Sequence, residues 1–211
     1  MKTTKHLLMT ALIVTTVAMT GCNNKPTPTE NDNAESAVLN NIATRVSVRS
    51  YLDKPVEEAK IEQMLRAGMA APSAVNKQPW HFIVVTEKAQ LEALAQASPN
   101  AGMVAKAPLA IVVCGDMDKA LEGGGRDFWI QDCSAATENI LLAAHSLGLG
   151  AVWTGAYPSP ERCETISVVV GLPETLIPLN IIVIGYPDST NEPKDKWKPE
   201  NISYNRYNAA D

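Results

Sequence analysis

Apolar positions along the chain fall into short stretches whose period changes from one to the next. Between 53 and 70, Ile61, Met64, Leu65 and Met69 recur at three- and four-residue spacings, which is one face of a helix. Asp53 can cap that segment and Pro55 suits its first turn, so the pattern predicts a helix over 53–70 that Ala71-Pro72-Ser73 ends. His81 to Thr86 is apolar and β-branched and predicts a strand. Lys88 to Ala97 predicts a short helix with Leu91 and Leu94 on one face. Leu109 to Cys114 is continuously apolar between Pro108 and Gly115, the mark of a strand buried on both faces. Asp127 to Leu147 is the longest helical stretch, stopped at Gly148. Its apolar residues occupy much of its circumference, so it should be central or lie at a subunit interface. Ala151 to Thr154 and Ile181 to Ile184 predict two more short strands. The segment 161–170 reads two ways. Thr165, Ile166 and Val168 to Val170 favour a strand, whereas the stop at Gly171-Leu172-Pro173 favours a helix end. Helices interleaved with short strands make this an α+β or α/β domain.

The first residues carry a different pattern. Lys2 and Lys5 precede an apolar run from Leu7 to Ala18, too short for a stable bilayer span and shaped like a signal peptide. The run ends in Met19-Thr20-Gly21-Cys22, small residues ahead of a cysteine, which resembles a bacterial lipobox. The expected organisation is a lipoprotein signal over 1–21, acylation of Cys22, a flexible tether over 22–38 and a folded domain over 39–211. Asn23 to Glu35, rich in Asn, Pro, Thr and Glu, suits such a tether. The expected location is the bacterial cell envelope, with the protein held to the membrane by its lipid and facing away from the cytoplasm.

Composition narrows the class only a little. A chain of 211 residues with 45% hydrophobic and 19% charged residues is globular and long enough for a full core. The formal charge of -5, with no basic stripe, argues against a nucleic-acid partner. His6, His81 and His145 are scattered, and no Cys/His pair has metal-ligand spacing, so no metal is expected. Cys114, Cys133 and Cys163 make a poor disulfide framework. The loop Glu122-Gly-Gly-Gly-Arg126 lacks the strand–loop–helix spacing of a phosphate-binding motif and reads as a turn.

Three segments carry candidate chemistry. In Arg45-Val46-Ser47-Val48-Arg49, residues 45, 47 and 49 alternate, so on an extended chain they point the same way. Two cations flanking a hydroxyl suit a phosphate and an electron-rich ring. In Ala71-Pro72-Ser73-Ala74-Val75-Asn76-Lys77-Gln78-Pro79-Trp80-His81-Phe82, hydroxyl and amide groups that can serve a flavin's polar edge sit in a proline-bounded loop. In Leu147 to Tyr157, Gly155 lets backbone approach a flat ligand closely, and a backbone N–H there could reach a flavin N5. Taken singly, each segment is equally well an edge strand, a loop or a tight turn.

Together, in this order and separation, and with the apolar strand at 109–114 and Gly171-Leu172-Pro173, the three segments resemble the nitroreductase family of FMN-dependent enzymes. The resemblance covers roughly residues 40 to 207, and residues 71–82 are its most specific part. It implies an α+β sandwich with a central, mostly antiparallel sheet flanked by helices, assembled as an intertwined homodimer with two FMN sites at the interface. Matched position by position, it implies that Arg45, Val46 and Ser47 contact the phosphate or ribityl chain and that Arg49 lies near flavin N1 and O2. Pro72, Ser73, Ala74 and Asn76 become the strip lent by the other subunit. Trp153, Thr154 and Gly155 become the backbone facing N5, with Lys196 and Arg206 as basic residues for the phosphate.

The implied reaction takes hydride from NADH or NADPH onto flavin N5. It then passes electrons to a nitroaromatic, a quinone or a similar small acceptor in ping-pong order, with no acid or base side chain required. Two other readings share these residues. One is a membrane-tethered flavoprotein that only carries electrons. The other is a flavin-cleaving or dehalogenating branch of the same fold, which long lid insertions would favour.

Overall fold

The computed structural model describes residues 30–189 and 191–207. The expected signal segment and Cys22 therefore lie outside the described residues. Five helices, α1 Glu30–Thr44, α2 Glu58–Met69, α3 Lys88–Ala97, α4 Phe128–Ser146 and α5 Pro160–Val170, surround a sheet. The strands are β1 Trp80–Val85, β2 Leu109–Asp116, β3 Gly150–Gly155 and β4 Leu176–Gly185. They run in the order β1-β2-β4-β3, and every pairing is antiparallel. The fold is α+β, as expected.

The alternation along β2 explains why its sequence is apolar throughout. Leu109, Ile111 and Val113 join the core under α4, with Met64 of α2 and Ile182 and Ile184 of β4. Ala110, Val112 and Cys114 join the opposite core, with Leu91 and Leu94 of α3 and Ile166 of α5. A strand covered on both faces has no polar positions to show. Each buried Ile, Leu or Val side chain contributes roughly 1.5–3 kcal/mol through its removal from water.

Helix α4 is central, but its burial is a stripe. Trp129, Asp132, Cys133, Ala136, Thr137, Ile140, Leu141 and Ala144 are buried, at spacings of three and four. The stripe lies on the sheet, and α2 packs beside it. The ambiguous segment is helix α5. Ser159 accepts the Arg162 N–H as an N-cap, Pro160 opens the first turn, and Gly171 closes the helix at φ 67°. End signals here outweigh the β-branched residues.

Strand β4 runs Leu176–Gly185, beginning five residues before the expected Ile181, and two helical segments depart from expectation as well. Helix α2 begins at Glu58, not at 53, and its N-cap is Glu57, not Asp53. Pro55 sits in a non-helical lead-in, and the Glu57 carboxylate accepts from the Tyr186 hydroxyl instead of capping the helix. The second difference is the tether. Helix α1 starts at Glu30, so the last part of the segment expected as flexible is helical. Pro26 and Pro28 precede it, and no Pro or Gly falls between 30 and 44, so nothing in the segment breaks a helix.

Among the described residues, no helix is long and apolar enough to cross a membrane. Nor does any group of three His, Cys, Asp or Glu residues form a candidate metal site.

Candidate functional site

The segment after α1 is extended and touches the sheet at one point, a parallel bridge between Ser47 and Ala151 of β3. The Val48 N–H donates to the Ala151 carbonyl at 3.0 Å, and its side chain is buried. That inward anchor turns its neighbours outward. Arg45, Ser47 and Arg49 line one cavity of about 820 Å³, within the range for small-molecule sites. Val46 lines it too, as do Asn191, Lys194 and Lys196 of the C-terminal segment. Arg45, Ser47 and Arg49 thus share one cavity, although Val46 lines it as well and only Val48 turns fully inward, and one of the two C-terminal candidates joins them. Arg206 does not. It lies on the exposed tail and is not among the residues lining this cavity.

Arg45 is the most constrained cation of the group. Its Nε lies 3.2 Å from a Glu138 carboxylate oxygen, yet the buried N–H makes no hydrogen bond. Distance alone suggests a bonded pair, but direction decides, because an N–H not aimed at its acceptor gains little. The contact is an ion pair that fixes the guanidinium's place and leaves the buried Nε without a hydrogen bond. A guanidinium held at the wall of a cavity is suited to an anion.

The second candidate segment forms a tight loop between α2 and β1. Three residues there that are not glycine have left-handed backbone: Val75 at φ 49°, Asn76 at 56° and Gln78 at 50°. For a β-branched residue this conformation is a genuine outlier. Val75 is also 82% exposed, so no packing of its side chain within the chain compensates. The Gln78 backbone N–H donates to Ser73 Oγ at 2.9 Å, and the Gln78 side-chain amide donates to Asn76 Oδ1 at 2.9 Å. Strain of this kind collects at ligand-binding positions. Pro72, Ser73, Ala74 and Asn76 do not line the cavity of Arg45 in the same chain.

The third segment is β3 itself. Trp153 is half-buried, and the Thr154 hydroxyl donates to the Ile181 carbonyl at 3.0 Å, so only Thr154 backbone is left to serve a ligand. Gly155 is exposed, and a Cβ placed on it would meet nothing nearer than the Tyr157 carbonyl oxygen at 4.0 Å. Its φ is not positive, so neither backbone conformation nor packing within the chain demands a glycine there. The open side of this residue leaves room for a flat group to come close.

Two contributors were missed in the sequence: Glu138, which pairs with Arg45, and Asp132, whose buried carboxylate accepts the Ala74 N–H at 2.8 Å; Lys194, in the same basic run as Lys196, also lines the cavity. Asp132 carries a detectable signal, because it is an acidic residue inside an apolar helical stripe. Glu138 carries none, since Glu is ordinary on any helix. The thiols are not candidates. Burial pushes Cys133 up to about 12, with a further push from the Asp132 carboxylate. Burial also takes Cys114 to about 12.

Trp153, Thr154 and Gly155 do not line the cavity of Arg45, so within one chain the structure brings together the arginine segment and Lys196 but not the β3 segment. An α+β sandwich with a cation-lined cavity of this size defines a small-molecule-binding class. Comparison with known proteins makes it particular. The family model described as "Nitroreductase family" matches residues 42–101 and 95–186. A protein of Methanothermobacter thermautotrophicus, named as a candidate NADH dehydrogenase/NAD(P)H nitroreductase, is 46% identical over 170 residues, spanning 81% of this chain and 87% of its own length. The FMN reductase [NAD(P)H] of Bacillus subtilis is 28% identical, over 79% of this chain and 72% of its own. Among solved structures, the FMN-dependent nitroreductase of Clostridium difficile R20291 superposes with TM-score 0.74 at 30% identity, over 80% of this chain and 99% of that one. The chain belongs to the nitroreductase family.

Proposed function

We propose that the folded domain is an NAD(P)H oxidoreductase that works with FMN and reduces a small organic acceptor such as a nitroaromatic or a quinone. The observation that carries this reading is the cavity that gathers Arg45, Ser47, Arg49 and Lys196. Its donor set fits a flavin mononucleotide. Arg45 and Lys196 supply cations and Ser47 a hydroxyl, which together suit a phosphate dianion. Arg49 supplies a cation for the pyrimidine edge of the ring, and the Thr154–Gly155 backbone leaves open space for the ring itself. The relatives' names, among them FMN reductase and NADPH-flavin oxidoreductase, point the same way.

Bound FMN would supply the redox chemistry, accepting hydride from NADH or NADPH and returning electrons to the acceptor. The chain's own part is to bind and to stabilise charge. Arg45, Ser47 and Lys196 hold the phosphate end. Arg49 places positive charge where the reduced ring becomes anionic, and that charge favours reduction. Pro72, Ser73, Ala74 and Asn76 serve the site of a second copy.

The test is the absorbance of the purified full chain, reconstituted with FMN and titrated anaerobically with NADH and with NADPH. A flavin spectrum that bleaches with either donor is the expected result. A colourless protein that cannot be reconstituted would overturn the reading. A yellow one that ignores both nucleotides but accepts electrons from a protein donor would leave only the carrier.

A further inference from the structure

The loop 73–79 is strained, yet nothing in the flavin-binding reading explains what holds it in the absence of a ligand. Hydrogen bonds from two elements hold the ends of the loop. Near the start, the Asp132 carboxylate of α4 accepts the Ala74 N–H at 2.8 Å. At the end, the Pro79 carbonyl accepts the Asp116 N–H of β2 at 2.7 Å, and the Cys133 thiol lies between the Cys114 and Pro79 carbonyls at 3.5 and 3.7 Å. Asp132 is 93% buried, since its relative exposure is 7%, and it sits in the apolar stripe of α4 between Trp129 and Ala136. Burying a carboxylate is costly unless it is hydrogen-bonded, so this position is not explained by core packing. Between the two anchors lie Val75, Asn76 and Gln78, each in left-handed backbone. Such backbone persists only where its surroundings over-determine it.

We infer that Asp132 is the positioning residue of this loop: its buried carboxylate sets Ala74 and thereby forces the strained turn that presents Ser73 and Asn76 to the flavin. The claim about the ligand rests on the flavin reading above. The claim about the loop does not. Asp132 touches no reacting atom and acts only through the backbone amide of Ala74.

The experiment uses the full chain, with and without FMN. Asp132→Ala removes the acceptor, and Asp132→Asn keeps an acceptor of the same shape without the charge. Ala74→Pro removes the donor from the other side of the bond. Proline suits this first position of the short turn, and Ser73 before it is already extended at φ −142°, ψ 155°. Two quantities are read: amide hydrogen exchange of the 71–79 peptide in FMN-free protein, and FMN affinity by fluorescence quenching.

Asp132→Ala is expected to speed exchange in that peptide about tenfold or more and to weaken FMN about tenfold to a hundredfold, the range for a hydrogen bond to a charged group. Asp132→Asn should restore most of both. Ala74→Pro should weaken FMN similarly, and combining it with Asp132→Ala should add little, because both delete one bond. Unchanged loop exchange in Asp132→Ala overturns the proposal even if FMN affinity falls, because the effect would then not run through the loop. If Asp132→Ala does not fold, Ala74→Pro decides, and parent-like FMN affinity and exchange of the remaining loop amides in that variant overturn it. If the parent binds no FMN, the flavin reading fails, while the exchange data still judge what Asp132 does.

Discussion

Arg45 and Arg49 lie four residues apart and line the same cavity, but their surroundings give them different work. Arg45 is tied by its ion pair to Glu138, which fixes its guanidinium at the cavity wall, and in the proposed function it receives the phosphate. Arg49 is exposed and has no salt bridge among the described residues, so it is free to answer the ring's charge. Arg45→Ala should therefore weaken FMN by roughly tenfold to a hundredfold, given the usual contribution of a charged hydrogen bond. Arg49→Ala should instead lower the midpoint potential, because the anionic reduced ring loses more than the neutral oxidised one. Equilibrium titration with FMN checks the first variant, and redox titration against a reference dye checks the second. Parent-like affinity in Arg45→Ala would move the phosphate elsewhere. A change of affinity in Arg49→Ala without a change of potential would turn the ring around.

At the scale of elements, the joints between helices and sheet are polar at a few points, and each can be tested. Asn180 of β4 is fully buried beside a bulge, where β2 shifts register between Val113 and Cys114. Its amide donates to the Thr137 hydroxyl at 2.9 Å, and that hydroxyl donates to the Cys133 carbonyl within α4. Thr137→Val keeps the shape but strands the Asn180 N–H, which should cost about 1–3 kcal/mol in denaturant unfolding. An unchanged midpoint would mean that another group satisfies Asn180. A second joint ties α2 to the end of β4, where the Tyr186 hydroxyl lies 2.6 and 2.8 Å from the Glu57 carboxylate oxygens. That hydrogen bond holds Glu57 below the usual glutamate range. Because the folded value is lowered, the stabilisation is present above the unfolded glutamate pKa and is lost as pH falls through the folded one. Tyr186→Phe should raise the Glu57 pKa toward its ordinary value in a carboxyl NMR titration. No movement would assign the shift instead to the backbone N–H at the start of α2, with Lys60 and Lys54 behind it.

These joints also mark what the sequence could and could not show. Strands, helix stripes and the alternating arginines are local periodic signals, and they were legible. The tie between Asp132 and Ala74 spans 58 positions, and the tie between Tyr186 and Glu57 spans 129, so neither leaves a local trace. Helix α1 was not anticipated, because the polar composition of the 22–38 segment was read as a flexible tether, although Glu30–Thr44 has no helix-breaking residue.

At the scale of the whole molecule, two questions concern surfaces that the chain does not cover itself. One is the attachment of the amino terminus. The apolar run and Thr20-Gly21 before Cys22 motivate a lipid anchor on that cysteine, and two or three acyl chains would hold where one would not. Cys22→Ser should release the protein from membranes, and a variant that stays bound after a high-salt wash would place the anchor elsewhere. The other question is subunit state. The 72–76 strip lines no part of the cavity that holds Arg45 and Arg49 in its own chain, so on the proposed reading it serves the site of a second copy. Exposed apolar residues agree with that reading. Val38, Leu39 and Ile42 are 60%, 59% and 54% exposed on α1, and Trp197, Tyr204 and Tyr207 are 71%, 83% and 83% exposed on the C-terminal segment. Large apolar groups left open in one copy mark a surface that association buries. The expected state is a homodimer, measured by light scattering of the soluble domain at micromolar concentration. Trp197→Ser together with Tyr204→Ser should shift it toward monomer and weaken FMN in parallel, since neither residue lines the cavity. A clean monomer that keeps parent-like FMN affinity would show that one chain completes the site alone, and would leave the strained 73–78 loop without a ligand to serve.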